Sequence, residues 1–181
     1  MTVKALSQAD SPVSSSDLAA WLRTDDTSDP MLSVCLSAAT NAVIEFLKLD
    51  LLSRDRLLTL AEWPTKGTKT HGLGRSTIEY CDTVELPYTN LLNVDGIEVF
   101  GAITTDYEIM QGNPAKIRFT HTSIAYNDQD PAIVIQYQAG YGADSELVPE
   151  AIKIAITMLA GYVFMHRGSC DMTQAMEKSG G

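Results

Sequence analysis

Pro149-Glu150-Ala151-Ile152-Lys153-Ile154-Ala155-Ile156-Thr157-Met158-Leu159-Ala160-Gly161-Tyr162-Val163-Phe164-Met165-His166 is the stretch on which the fold turns. Proline lacks the N–H that the first turn of a helix leaves unpaired, so Pro149 reads as the start of a helix that runs to about His166. Ile152, Ala155, Ile156, Leu159, Tyr162 and Val163 make one apolar face, and Ile154, Met158, Gly161 and Met165 make a second. A helix apolar on two sides has to cover both. Burial within its own domain is the first expectation, and contact with another subunit is the alternative. Ala151, Ala155, Ala160 and Gly161 permit close backbone approach. The apolar run Ile154 to Met165 is only about half of the ~20 residues that span a bilayer, so no membrane crossing is expected here.

Beyond this helix, Asp171 to Lys178 can form a short final helix, which puts the C-terminal helices at 149–178. Toward the N-terminus, the first fifteen residues lack the long apolar core of a secretory signal and read as a mobile arm, 1–15. Ser16 to Arg23 reads as a short helix capped by Ser15 or Ser16, with Asp17 at its positive end. Pro30, after Asp29, opens a helix to about Leu49 whose apolar stripe is Leu32, Cys35, Leu36, Ala39, Val43, Phe46 and Leu47. Between the helices, 57–137 is β-rich. Candidate strands are Thr83–Leu86, Leu92–Val94, Ile97–Phe100, Asp106–Met110, Lys116–Phe119 and Ala132–Tyr137. Val94-Asp95-Gly96-Ile97 reads as a tight hairpin because Asp-Gly tolerates positive φ. Gly112-Asn113-Pro114 reads as another turn, and 66–75 as an exposed loop. The fold class is therefore α+β: a small helical bundle from N- and C-terminal helices with a central antiparallel β-rich insertion, all within one domain, 1–181.

Composition narrows the function classes. The 13 Lys and Arg against 23 Asp and Glu leave a net charge of -10, which opposes a grip on nucleic acid by phosphate neutralisation. Cys35, Cys81 and Cys170 are far apart and odd in number, so they suggest reduced thiols rather than a disulfide framework or a CxxC site. His71, His121 and His166 show no paired metal-ligand spacing. His166, beside Arg167 near a helix end, is placed to interact with exposed carbonyls. The segment His71 to Thr77 lacks the spacing of a phosphate-binding loop, and Asp128-Gln129-Asp130 is followed by Pro131 where a calcium loop needs more oxygen ligands. No GxSxG elbow is present. Catalytic, metal and cofactor-binding residues are accordingly assigned as none.

Three segments, in this order, resemble the head-tail connector (adaptor) family of long-tailed double-stranded DNA phages. The first is Leu18 to Arg23 with Asp25, Asp26 and Asp29, followed by the Ala-rich helix Leu36 to Leu47. The second is Ile135-Gln136-Tyr137-Gln138-Ala139-Gly140-Tyr141, similar to the family's strand ending in a Tyr-x-Ala-Gly-Tyr type turn. The third is Val148-Pro149-Glu150-Ala151-Ile152, continuing to Tyr162 and Arg167, similar to its Val-Pro-led terminal helix. The resemblance covers both ends of the chain; the middle, about 57–130, is longer than in all-helical members.

The resemblance implies a structural virion protein without enzymatic activity or cofactor, made in the host bacterial cytoplasm and located at the head-tail junction. It implies a homo-oligomer, a dodecameric ring, under the phage portal protein, extending the DNA channel and docking a neck or tail-completion protein. DNA would pass through without specific binding, and no membrane is involved. Ile154, Met158, Gly161, Met165 and Arg167 are the candidate partner or oligomer interface. Two rival readings remain: a β-rich binding module of a virion, and a small hydrolase assembled from His121, Asp128 and a distant nucleophile.

Overall fold

A computed structural model describes residues 1–7, 9–71, 75–120 and 131–166. The first element is a surprise. Thr2–Ala5, expected within a mobile arm, is a strand (β1) paired antiparallel with β2 (Arg54–Leu60), Val3 opposite Leu58. Helix α1 (Ser15–Leu22) is capped by Ser14, not by Ser15 or Ser16. Ser14 Oγ accepts from the Asp17 N–H at 3.1 Å, and the Asp17 carboxylate accepts from the Ser14 N–H at 3.2 Å, a reciprocal capping box that fixes the start one residue earlier. Asp29 Oδ1 accepts from the Met31 N–H at 2.8 Å and caps α2 (Pro30–Leu47), which ends where Lys48 turns left-handed. Helix α3 (Glu150–Met165) follows Pro149. The three helices pack pairwise into the expected bundle.

Between α2 and α3 the chain is antiparallel sheet, and the α+β class stands. Strands β6 (Leu91–Val99), β7 (Ala102–Ile103) and β10 (Ile133–Ala139) join the first two in the order β1-β2-β10-β6-β7. A second sheet, β5-β9-β8, uses Thr83–Glu85, Lys116–Phe119 and Tyr107–Met110. The central strand β10 buries Ile133, Ile135, Tyr137 and Ala139 and leaves Gln136 exposed, the alternation of a sheet covered on one face. These residues share one cluster of buried side chains with Leu18 of α1, Leu32 of α2 and Ile156 of α3.

Two expectations about the β part fail. Asp95-Gly96 is not a hairpin: it lies inside β6, where Gln136 pairs with Gly96 but Tyr137 pairs with Val94, so Asp95 is the extra residue of a bulge. The reversal comes at Phe100 and Gly101, with φ 49° and 76°, the two positive angles that a two-residue hairpin turn requires. Of the segment 66–75, expected as a loop, the described residues 66–71 and 75 belong instead to a ribbon, β3 (Thr65–His71) with β4 (Arg75–Tyr80).

Candidate functional site

Helix α3 buries one side only. Ile156, Ala160 and Gly161 are buried, with Ile152, Lys153, Thr157 and Phe164 half-buried around them. Ala151, Ile154, Ala155, Met158, Leu159, Tyr162, Val163 and Met165 are all exposed on the other. Nothing charged interrupts this outer surface between Lys153 and His166. Burial of both faces within the chain, the first expectation, is not what these residues do. Apolar area left in water is unfavourable by roughly 25 cal/mol per Å², so a face of eight such residues points to a partner.

The candidate interface residues divide. Ile154, Met158 and Met165 are 46%, 57% and 67% exposed and lie on the outer face. Gly161 does not: it is buried against α1, and a Cβ added there would sit 3.6 Å from Trp21 and Leu22 side-chain atoms. Arg167 lies outside the described residues. At the helix end His166 stacks on Tyr162, ring centroids 4.2 Å apart, and its Nδ1 is 2.8 Å from the Tyr162 carbonyl, the helix-end role read from sequence.

A second apolar surface lies on α2. Leu32, Cys35, Leu36, Ala39, Thr40 and Ile44 face inward, whereas Met31, Val34, Ala38, Ala42 and Phe46 are exposed. Phe46 and Leu47, expected on the core stripe, are 87% and 42% exposed, and Thr40 and Ile44 are buried in addition. Thr40 tolerates this because its hydroxyl donates to Ser11 Oγ at 3.1 Å. By length and composition alone α2 could cross a membrane, with a mean hydropathy of 1.4, though one third of it is buried in the fold.

One buried polar cluster went unread in the sequence. The Asp50 and Arg56 side chains, both almost fully buried, form a two-pronged ion pair, with Arg56 Nη2 donating to Asp50 Oδ1 at 2.8 Å. The Arg56 guanidinium lies 3.1 Å from the centre of the Tyr88 ring, and Tyr88 Oη donates to Glu45 Oε1 at 2.9 Å. Lys48 and Tyr88 hold the Glu45 carboxyl below its ordinary range. Beneath them the Tyr137 hydroxyl is buried, with no hydrogen-bond partner of normal geometry among the described residues, and burial pushes its pKa to about 12. This cluster ties the end of α2 to β2, β10 and the segment before β6. Asp50, Arg56, Tyr88 and Tyr137 are buried while Glu45 and Lys48 form its exposed rim, and the cluster suits holding elements together rather than turnover.

Among the described residues no three His, Cys, Asp or Glu side chains gather as metal ligands. Of the 71–77 segment, the described residues His71 and Arg75 to Thr77 lie in paired strands and offer a phosphate no helix N-terminus. His121, Asp128 and the 128–130 acidic run lie outside the described residues.

No protein family matches the chain in sequence, and no curated protein matches it. Solved structures do. A chain in the neck of an empty gene transfer agent (GTA) particle, computed with C6 symmetry, superimposes with a TM-score of 0.68 at 18% identity, over 93% of this chain and 86% of that one. A chain in the neck of the native particle, computed with C12 symmetry, gives 0.67 at 18% identity over 95% and 88%. A chain of the native GTA virion gives 0.64 at 18%, over 93% and 87%. At that identity the likeness establishes a shared fold, sheet insertion included.

Proposed function

We propose that the chain is a structural subunit of the neck of a phage-like particle: a head-tail connector (adaptor) whose copies form a ring under the portal protein. The ring extends the DNA channel and offers its far side to a neck or tail-completion protein. The observation that carries this reading is the fold shared along nearly the whole chain with chains of particle necks. The 6- and 12-fold symmetries of those necks favour a ring of identical copies, a dodecamer in this reading. The exposed outer face of α3, with Ile154, Met158 and Met165, is the kind of surface such an assembly covers. A net charge of -10 suits a passage that DNA slides through without being held. No step of this role is chemical.

Negative-stain imaging of the full chain, alone and with the portal protein of the same particle, tests the proposal. Coaxial rings on the portal are expected, whether or not the free chain forms rings. Failure to associate under either condition refutes the connector role.

A further inference from the structure

We infer that the ring closes head to tail, with the outer stripe of α2 on one copy seated on the outer face of α3 on the next. This rests on the ring reading above. A closed ring of more than two identical copies needs two different surfaces per subunit that fit each other, whereas a two-fold dimer needs only one that fits itself. The chain offers two such surfaces. One is the outer side of α3, long and knobbed, with Ile154, Met158, Tyr162 and Met165 exposed. The other is the outer side of α2, where Met31, Val34, Ala38, Ala42 and Phe46 recur every three or four residues and so share one stripe. Its middle is hollowed by two alanines and its ends are raised by Met31 and Phe46.

The shapes are complementary in the way helices pack, side chains of one surface entering the shallow stretch of the other. Methionine adapts well to such a fit. Because α2 and α3 already pack on each other inside the subunit, their outer sides face away from their own core and are open to separate neighbours. Charge points the same way. Copies of a chain at -10 repel, and these two surfaces are where carboxylates are scarce. Glu45, the one carboxylate within the α2 stripe, is already tied to Lys48 and Tyr88.

The test uses two full-length variants, Val34→Lys and Met158→Lys, measured by sedimentation and negative stain at concentrations where the unchanged chain forms rings. Both sites are exposed, so each variant should keep the circular dichroism and melting temperature of the unchanged chain. Each alone should fail to form rings, its assembly midpoint raised by about tenfold or more. Mixed one to one, they should form heterodimers and nothing larger, because the intact α3 of the first meets the intact α2 of the second and the other two surfaces are spoiled. Rings from either variant alone, or a mixture that stays monomeric, would overturn the pairing while leaving the connector role intact. A lowered melting temperature of monomeric Met158→Lys would overturn it in favour of cover by the chain's own residues 167–181. Binding of the unchanged chain to phospholipid vesicles, lost in Val34→Lys, would overturn it in favour of a membrane. An unchanged chain that never forms rings, alone or on the portal, fails the ring reading itself.

Discussion

Replacing Asp50 with alanine should be among the most damaging single changes to this fold. The Asp50 and Arg56 side chains are 1% and 3% exposed, so the substitution leaves a guanidinium in the interior with only the Tyr88 ring against its face. Breaking one side of a buried ion pair costs about 3–5 kcal/mol, and the ring recovers on the order of 1–2 kcal/mol at most. Arg56→Met should be milder by roughly 1 kcal/mol, because Asp50 keeps the Arg54 guanidinium, whose Nη1 is 3.7 Å from Oδ1. The double variant Asp50→Ala with Arg56→Met removes both charges and leaves mostly a packing defect of about 1–2 kcal/mol. The cycle should therefore show a coupling of about 2–4 kcal/mol. Urea unfolding of dilute protein, followed through the tryptophans, measures it. With a slope of about 2 kcal/mol/M, the net loss of about 3 kcal/mol in Asp50→Ala should lower the midpoint by about 1.5 M. A loss under about 0.5 M, or a double variant no more stable than Asp50→Ala, would mean that water reaches the pair and that its burial is not what holds α2 to the sheet.

Gly140 has φ +135°, and an added Cβ would collide with the Leu52 carbonyl, so Gly140→Ala should cost at least about 2 kcal/mol in the same urea assay; a smaller loss would show that the β10 end can shift away from Leu52. Gly161 sits in a helix with room for one methyl against Trp21 and Leu22, so Gly161→Ala should be neutral or stabilise by about 0.5–1 kcal/mol, whereas Gly161→Leu should cost about 1–3 kcal/mol by prying α1 from α3. Tyr137 is raised from 10.0 to about 12 in the fold, so its contribution is fully present below pH 10 and is lost as pH rises through 12. Tyr137→Phe should flatten that alkaline loss, about 2–3 kcal/mol, in melts taken between these pH values, and should cost little near neutrality because among the described residues the hydroxyl has no hydrogen-bond partner of normal geometry to lose.

How far the fold was legible follows from which signals are local. Pro30 and Pro149 mark helix starts by chemistry confined to one turn, and both helices begin there. The 116–119 strand was readable because its alternation needs no partner to be seen. Pairing across the sheet is different. Asp95-Gly96 carries the same local tolerance for a hairpin as for a bulge, and only β10 lying alongside decides between them. The 65–80 ribbon escaped notice because Thr65–His71 holds only polar residues and one glycine, so no period of two marks its first strand. The edge strand β1 was missed for a related reason: Thr2–Ala5 is too short to reveal a pattern and is held by β2, half a hundred residues away.

The buried ion pair could have been found. Arg56 and Leu58 occupy the same phase of β2 and both point inward, and an arginine on the inward phase of a strand requires a buried acid nearby. Asp50, just past the end of α2, was the available one. The α3 surface was legible as a question and not as an answer, since a helix apolar all round is equally consistent with a deep core and with a neighbouring subunit. What tips it is geometry that sequence does not carry: α1 and α2 cover Gly161, Ala160 and Ile156 and stop there. Met158 and Gly161, three residues apart on one inferred face, thereby acquire opposite roles. A charge at Met158 should spare the fold and strike the assembly, while bulk at Gly161 should strike the fold itself.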